Sequence, residues 1–487
     1  MSNEIVNLEP KLLWESFYKL TQIPRPSKKE MIAADAVADF GKSLGLETIR
    51  DEVGNVIIRK PATPGMENRK GIILQGHIDM VPQKNSDKVH DFEKDPIETY
   101  IEDGWVTANG TTLGADNGIG VAAGMAVLLS DDIEHGPVEI LVTIDEETGM
   151  TGANELKPGI LKGEILLNLD SEDEGELYVG CAGGTNANVK FTFKEYPFPS
   201  HNSTAYKLGV TGLKGGHSGL DINIGRANAN KLLFRFLKYA VSVLGVRISS
   251  IDGGSLRNAI PRESFAVIAV PEENKEQFLE DVKEFEATYK SEYSSTEPNL
   301  QMIAEVADNP DFVMNEVVQD DLINAIQACP NGVIRMSAEM EGLVETSTNM
   351  AIIKSDKDSV TVQCLLRSSV DSARDDLEST HESLFRLAGA EIMFDGQYPG
   401  WKPNPDSPIL KTMQSVYQNK WGKIPDIKGI HAGLECGILG NAYPNWDMIS
   451  FGPTIRFPHS PDEKVNIATV QKFWDFLVET LKNVPEK

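Results

Sequence analysis

Hydrophobic spacing divides the chain into three textures. Over residues 1–185, short apolar runs alternate with amphipathic stretches. Ile32, Ala33, Val37, Phe40 and Leu44 recur at helical spacing and predict a helix over 29–45, after a shorter one over 12–22. Strands are predicted at 55–59 (NVIIR), 71–75 (GIILQ), 138–144 (VEILVTI) and 164–169 (EILLNL), with an apolar helix at 118–130 (GIGVAAGMAVLLS). Strands without polar alternation are covered on both faces. From 186 the period shortens to two. Alternating strands are predicted at 188–194, 205–211, 246–252 and 264–270, with helices at 225–244 and 272–290. A similar order follows: strand 300–307, helix 314–328, strands 333–339, 342–354 and 357–367, helix 371–388. This block reads as one α+β domain or as two similar halves. After 397 the first texture returns, with helices at 408–421 and 465–483 and strands at 426–430 and 447–451. The pattern predicts an α/β domain, a mixed sheet with helices on both faces, split into 1–185 and 397–487. An α+β domain of 186–396 is inserted in it.

Composition narrows the class. A chain of 487 residues is too long for one ordinary core, which agrees with two domains. At 40% hydrophobic and 24% charged it reads as globular. No apolar run reaches the roughly 20 residues of a membrane helix, so no membrane partner is expected. The opening MSNEIVNLEPKLLWESFYKL lacks a basic segment followed by an apolar one, and reads as an amphipathic helix rather than a secretory leader. Cys181, Cys329, Cys364 and Cys436 form no C-x-x-C pair and read as buried thiols of a reducing cytosol, so a cytoplasmic location is expected. A net charge of −27 would repel a phosphate backbone, which argues against a nucleic-acid partner. The glycines near 114–124 have the wrong spacing for a dinucleotide loop, and the preceding EDGWVTANGTT does not read as a parallel strand.

Three predicted strands end in metal-binding residue types. Gly71–Gln75 runs into Gly76-His77-Ile78-Asp79, Val138–Ile144 into Asp145-Glu146-Glu147, and Ile165–Leu169 into Asp170-Ser171-Glu172. A fourth, Met448–Phe451, leads to Pro458-His459-Ser460, and Asp116 stands just before a helix. Ligands of α/β sheets bind beyond the carboxyl ends of strands, so these side chains converge if the strands are neighbours. Each segment alone has a plain structural reading: a satisfied histidine, a solvated charge pair, a helix N-cap. Together, two histidines and three carboxylates suit zinc, manganese or cobalt better than the all-oxygen shells of magnesium or calcium. They are many for one catalytic ion. They fit two ions roughly 3.5–4 Å apart that share a carboxylate and activate a water.

At this point the chain resembles the di-zinc exopeptidases that include carnosinases, aminoacylases and tripeptide aminopeptidases. The matching strings are Gly76–Pro82, Leu113–Gly118, Asp145–Gly149, Asn168–Glu172, Gly215–Gly219 and Phe457–Pro461, in the expected order over most of the chain. HAGLECG at 431–437 resembles the bacterial aminoacyl-histidine dipeptidase branch, also called Xaa-His or cytosol non-specific dipeptidases. The resemblance implies a zinc-exopeptidase-like catalytic domain with an inserted lid domain. It implies a homodimer acting on small peptides such as β-Ala-His, with two divalent ions per chain. Zinc is the expected ion, with cobalt and manganese also compatible. By that resemblance Asp116 bridges the ions, His77 and Asp170 hold one, and Glu147 and His459 the other. Asp79 orients His77, and Glu146 is the general base. His217 stabilises the oxyanion, in its own subunit or across a dimer. Asn258, Arg367, His431 and Glu435 would bind substrate, Arg367 because its fork matches a terminal carboxylate. Glu435 departs from relatives with smaller or uncharged residues there, and would either bind the substrate amine or pair locally. His90, His135, His201 and His381 have no carboxylate-rich companions and read as surface or structural. Trp105 reads as packing. A deacylase or tripeptide aminopeptidase on the same site, and a non-catalytic metal-binding scaffold, are the alternative readings.

Overall fold

In the computed structural model, which describes residues 4–487, the apolar runs Val138–Thr143, Ile72–His77 and Ile165–Asn168 lie side by side as parallel strands, buried at every position. Asp447–Ser450 extends the parallel set beside Ile165–Asn168. Glu47–Arg50 and Val56–Lys60 flank one side of this sheet in antiparallel pairing, and Glu176–Cys181 and Asp426–Ile430 complete the other. The four strand ends that carry candidate ligands are therefore adjacent, the condition for their convergence. This sheet belongs to a first compact unit, made of the chain up to Gly180 with Pro403–Gly429 and Leu434–Lys487.

The helices of this unit follow their sequence patterns with local changes. Ala115–Leu129 is buried along nearly its whole length against Ile72–His77, which is why it carries no polar stripe. Met31–Ser43 packs on Val56–Lys60 through Ala33, Ala34, Val37 and Ala38, whereas Ile32 is 66% exposed and Leu44 falls outside the helix. The small face lets the helix lie close to the sheet, so the bulkier apolar positions at its margins stay in solvent. Pro408–Trp421 starts with proline at its first turn and Ser407 as cap, whose Oγ accepts the Leu410 N–H at 3.0 Å and donates to Asp447 at 2.5 Å.

A four-stranded ribbon was not anticipated. Thr99–Glu102 and Trp105–Ala108 form a hairpin, joined by Lys464–Asn466 and then Ile455–Arg456. The turn is Asp103-Gly104, with positive φ at both residues, the two-residue geometry that suits strand twist. Trp105 lies at its end beneath the Lys464 ammonium, 4.9 Å from the ring.

The second unit, Cys181–Lys402 with Ile430–Gly433, is built on one nine-stranded sheet rather than on two separate halves. Its antiparallel centre runs Ser203–Thr211, Ser264–Pro271, Arg247–Gly253, Val344–Ser355, Ser359–Ser368 and Gly183–Thr192. Ala229–Leu244, Lys275–Glu292, Glu316–Ala328 and Asp371–Leu387 close one continuous core with it. Asp371–Leu387 shows the logic: its buried residues Arg374, Leu377, His381 and Phe385 recur at helical spacing on an otherwise charged helix. All four cysteines of the chain are buried.

Candidate active site

Beyond the strand ends of the first unit, two triads of potential ligands share one residue. His77, Asp116 and Asp170 form one, and Asp116, Glu147 and His459 the other. His77 Nε2 lies 3.1 Å from Asp116 Oδ1 and 3.3 Å from Asp170 Oδ1. His459 Nε2 lies 3.3 Å from Asp116 Oδ2 and 3.0 Å from Glu147 Oε2. The two oxygens of Asp116 thus face two different histidines. Glu146 joins His77 and Glu147 in a third grouping.

The chain reaches this arrangement through local devices. Gly76 is required because a Cβ there would stand 2.2 Å from Asn117 Oδ1. Asp145 adopts left-handed geometry at the end of its strand, held by hydroxyls of Thr148 and Thr151, and the helical turn Glu146–Gly149 follows. That turn lets two consecutive glutamates face one site. Asp79 ties it down: its carboxylate accepts the N–H groups of Glu146 (3.0 Å) and Glu147 (3.3 Å) and the Ser27 hydroxyl (2.8 Å), and lies 3.5 Å from His77 Nδ1. Asp79 therefore sets the position of a histidine and of the glutamate pair together.

Two supporting residues carried no sequence expectation. Glu463 is buried and accepts four consecutive backbone N–H groups, those of Leu113 (2.8 Å), Gly114 (2.9 Å), Ala115 (2.7 Å) and Asp116 (3.2 Å). It holds the loop that presents Asp116. Arg25 is buried below, donating to the carbonyls of Ile78 (2.8 Å) and Gly114 (2.5 Å). In sequence Glu463 stands in Asp462-Glu463-Lys464, which looks like a solvated charge run, and Arg25 between two prolines looks like a loop residue.

The electrostatics show an excess of buried negative charge. Burial pushes Asp170 up to about 6 and, with Asp116 and Asp170 as neighbours, Glu172 up to about 8. Burial also drives Glu146 well above the carboxylate range, with Asp170, Glu435 and Glu147 adding to it and His77 opposing. For Asp116 burial is outweighed by His459 and His77, which hold it low. His459 is raised to about 11 by its contacts with Asp116 and Glu147. Glu147 Oε1 is a buried acceptor without a hydrogen-bond donor, and Asp170 Oδ1 has only the His77 ring nitrogen near it, at 3.3 Å. Mixed nitrogen and oxygen donors, surplus carboxylate charge and unused buried oxygens together fit divalent cations held by these five residues.

Glu435 lies in the same unit, buried. Its Oε2 accepts from Gln75 (2.6 Å) and Thr143 (2.8 Å), while Oε1 has no donor, and burial pushes the carboxyl up to about 7. The local pairing foreseen for it is thus present through one oxygen only.

The second unit assembles the other expected residues. His217 pairs in register with Ala259, next to Asn258, whose carbonyl accepts the Ser218 N–H at 2.8 Å. His217 Nδ1 accepts the N–H groups of Gly219 (3.1 Å) and Leu220 (3.0 Å), so the ring proton sits on Nε2. Burial and the nearby Arg367 push this imidazole down, keeping it neutral. Arg367 is buried and donates Nη1 to Tyr398 at 2.8 Å, leaving its Nε without an acceptor. His431 is buried against Ser347, 2.7 Å from its hydroxyl, and is pushed down to about 3 by burial and by Arg367. Gly219 admits this packing, since a Cβ there would lie 2.0 Å from the His431 carbonyl oxygen. His201 is exposed, His135 is buried with Nδ1 donating to Gly136 at 2.7 Å, and His90 packs edge-on against Phe92.

Comparison with known proteins matches residues 73–483 to the model of peptidase family M20/M25/M40. The chain is 46% identical to the cytosol non-specific dipeptidase of Escherichia coli (strain K12) over 485 residues, covering 100% of both chains. It superposes on the crystal structure of aminoacylhistidine dipeptidase from Vibrio alginolyticus with a TM-score of 0.95 at 52% identity, covering 99% of this chain and 98% of that one. An aminopeptidase structure from Bacillus cereus, 16% identical with a TM-score of 0.58 over 98% of this chain and 99% of the other, shares the fold.

Proposed function

The chain belongs to peptidase family M20/M25/M40, and from that premise we propose that it is a di-metal dipeptidase that hydrolyses the peptide bond of small dipeptides, Xaa-His dipeptides among them. The observation that carries this reading is the sharing of Asp116 between two triads. His77, Asp116 and Asp170 would hold one ion, and Asp116, Glu147 and His459 the other. Zinc suits the donor set, and cobalt and manganese accept it too. Bound there, two such ions supply Lewis acidity that lowers the pKa of a water and polarises a carbonyl.

The chain's own residues then carry the proton and the substrate. Glu146 takes the proton of the attacking water and passes it to the departing amine. Asp79 keeps His77 in one tautomer and fixes the backbone of Glu146. His217, with its proton on Nε2, donates to the oxyanion of the tetrahedral intermediate. Arg367 binds the terminal carboxylate through its guanidinium, with Asn258 and His431 beside His217 and Arg367 shaping that end. Glu435 offers Oε1 to the substrate amine. Small peptide partners, a homodimer and a cytosolic setting belong to the same reading. The Escherichia coli relative has "cytosol" in its name, and no helix among the described residues is long and apolar enough to cross a membrane.

The test is a panel of β-Ala-His, Leu-Gly, a tripeptide and an N-acetyl amino acid, run on protein whose metal content has been measured. Cleavage confined to the dipeptides supports the reading. Preference for the tripeptide or the acylated substrate replaces it.

A further inference from the structure

The core of the second unit contains a cluster that the peptidase chemistry does not use. Cys329 caps the end of helix Glu316–Ala328, Cys364 lies on strand Ser359–Ser368, and His381 on helix Asp371–Leu387. Their sulfur and ring-nitrogen atoms all lie within 4.8 Å of one another, and the three residues are at most 2% exposed. The orientation of His381 is specific. Its Nδ1–H donates to the Leu377 carbonyl at 2.9 Å, which leaves the Nε2 lone pair facing Cys329 and the Thr348 hydroxyl, 3.3 Å away. A histidine whose far nitrogen is anchored on a carbonyl, with the near one facing a cysteine sulfur, has the arrangement of a metal ligand.

We propose that Cys329, Cys364 and His381 form a structural zinc site in the second unit, separate from the ions of the first. The donor chemistry selects the ion. Two thiolates and an imidazole are soft or borderline ligands that magnesium and calcium do not favour. Two thiolates, a neutral imidazole and one divalent ion sum to zero charge, the state that an apolar core accepts most readily. With bonds of about 2.0–2.3 Å, tetrahedral zinc sets its ligand atoms roughly 3.3–3.8 Å apart, inside the 4.8 Å within which these three atoms lie. The Thr348 hydroxyl borders the cluster, 3.3 Å from His381 Nε2. Binding replaces the two thiol protons, which leave to solvent as the site forms during folding. The Lys231 ammonium donates to the carbonyls of Ile326, Gln327 and Cys329, holding the helix end against the site. The ion would pin two helices to the sheet where Cys329 and Cys364 meet.

This site is independent of the dipeptidase reading, and its test does not use activity. The ligands of the first unit are nitrogen and oxygen only, so sulfur bound to metal reports this cluster alone. The full chain, purified with zinc, is examined by X-ray absorption, and a cobalt-loaded sample by near-ultraviolet spectroscopy. The expected result is zinc–sulfur scattering near about 2.3 Å and a thiolate-to-cobalt charge-transfer band. Both persist in Asp116→Ala and vanish in Cys364→Ala, with one metal equivalent lost per chain in the latter. Absence of sulfur scattering and of the band in the wild-type chain overturns the proposal, whether or not Cys364→Ala folds. A Cys329–Cys364 disulfide in the wild-type protein, found by thiol counting after denaturation, also overturns it.

Discussion

Replacing Glu463 by Gln is expected to loosen the metal site without touching a ligand. One carboxylate oxygen accepts the N–H groups of Leu113 and Gly114, the other those of Ala115 and Asp116. The amide of Gln keeps one acceptor and turns its NH2 toward two buried donors. Two charge-assisted hydrogen bonds at about 1.5–3 kcal/mol each set an upper loss of ~3–6 kcal/mol. Burial already opposes the carboxylate, pushing it up to about 7, so part of that loss is returned when the charge is removed. We expect a net cost of about 2–4 kcal/mol. It falls on the loop that carries Asp116, so metal affinity should drop ~10–100-fold, the range for residues that support ligands. Competition with a chromophoric chelator measures the affinity, and urea unfolding of the metal-free chain measures the stability. The reasoning fails if Glu463→Gln matches the wild type in both, because four buried donors would then have found other acceptors at no cost.

The remaining predictions concern the chemistry. Glu146→Ala should keep its metal content by elemental analysis and lose about 10²–10⁴ in kcat, and near-normal turnover would remove Glu146 as the base. His217→Ala should lower kcat about 10²–10³-fold with little change in KM, whereas a change confined to KM would make it a binding residue. Arg367→Lys should raise KM about tenfold for a dipeptide but much less for its C-terminal amide, and an equal effect on both would count against carboxylate recognition. His431 should stay neutral in the folded protein, with a flat imidazole signal by NMR between about pH 5 and 8. Its folded pKa of about 3 lies below the unfolded value of 6.5. The stability it contributes is therefore fully present above 6.5 and is lost as the pH falls toward 3. His431→Gln should lessen the acid sensitivity over that window, and a titration midpoint near 6.5 would refute the assignment.

What could be read in the chain depended on whether a role leaves a mark on residue types. The parallel strands were legible because burial on both faces removes polar alternation, as in Ile72–His77 and Val138–Thr143. That His77, Asp116, Glu147, Asp170 and His459 come together was legible because imidazoles and carboxylates follow the ends of strands that the apolar pattern makes neighbours. The helix over 29–45 was legible in kind, although Ile32, one of the positions whose spacing predicts it, lies in solvent while Ala33, Ala34 and Ala38 pack on the sheet. The Asp103-Gly104 turn was a signal present and passed over. Glu463 and Arg25 were of another sort. Their partners are backbone N–H and carbonyl groups of Leu113–Asp116, Ile78 and Gly114, which every residue type provides. Nothing at positions 113–116 marks them as needing an acceptor 350 residues away, because the demand comes from the conformation of the loop. The same reasoning separates Cys329, Cys364 and His381 from the cluster at the strand ends. Their chemistry is visible in the letters, but only the closing of one sheet by two helices brings the letters together. A site whose demand falls on side chains can be suspected before the fold is known. Its supports, whose demand falls on the backbone, become visible only with the fold.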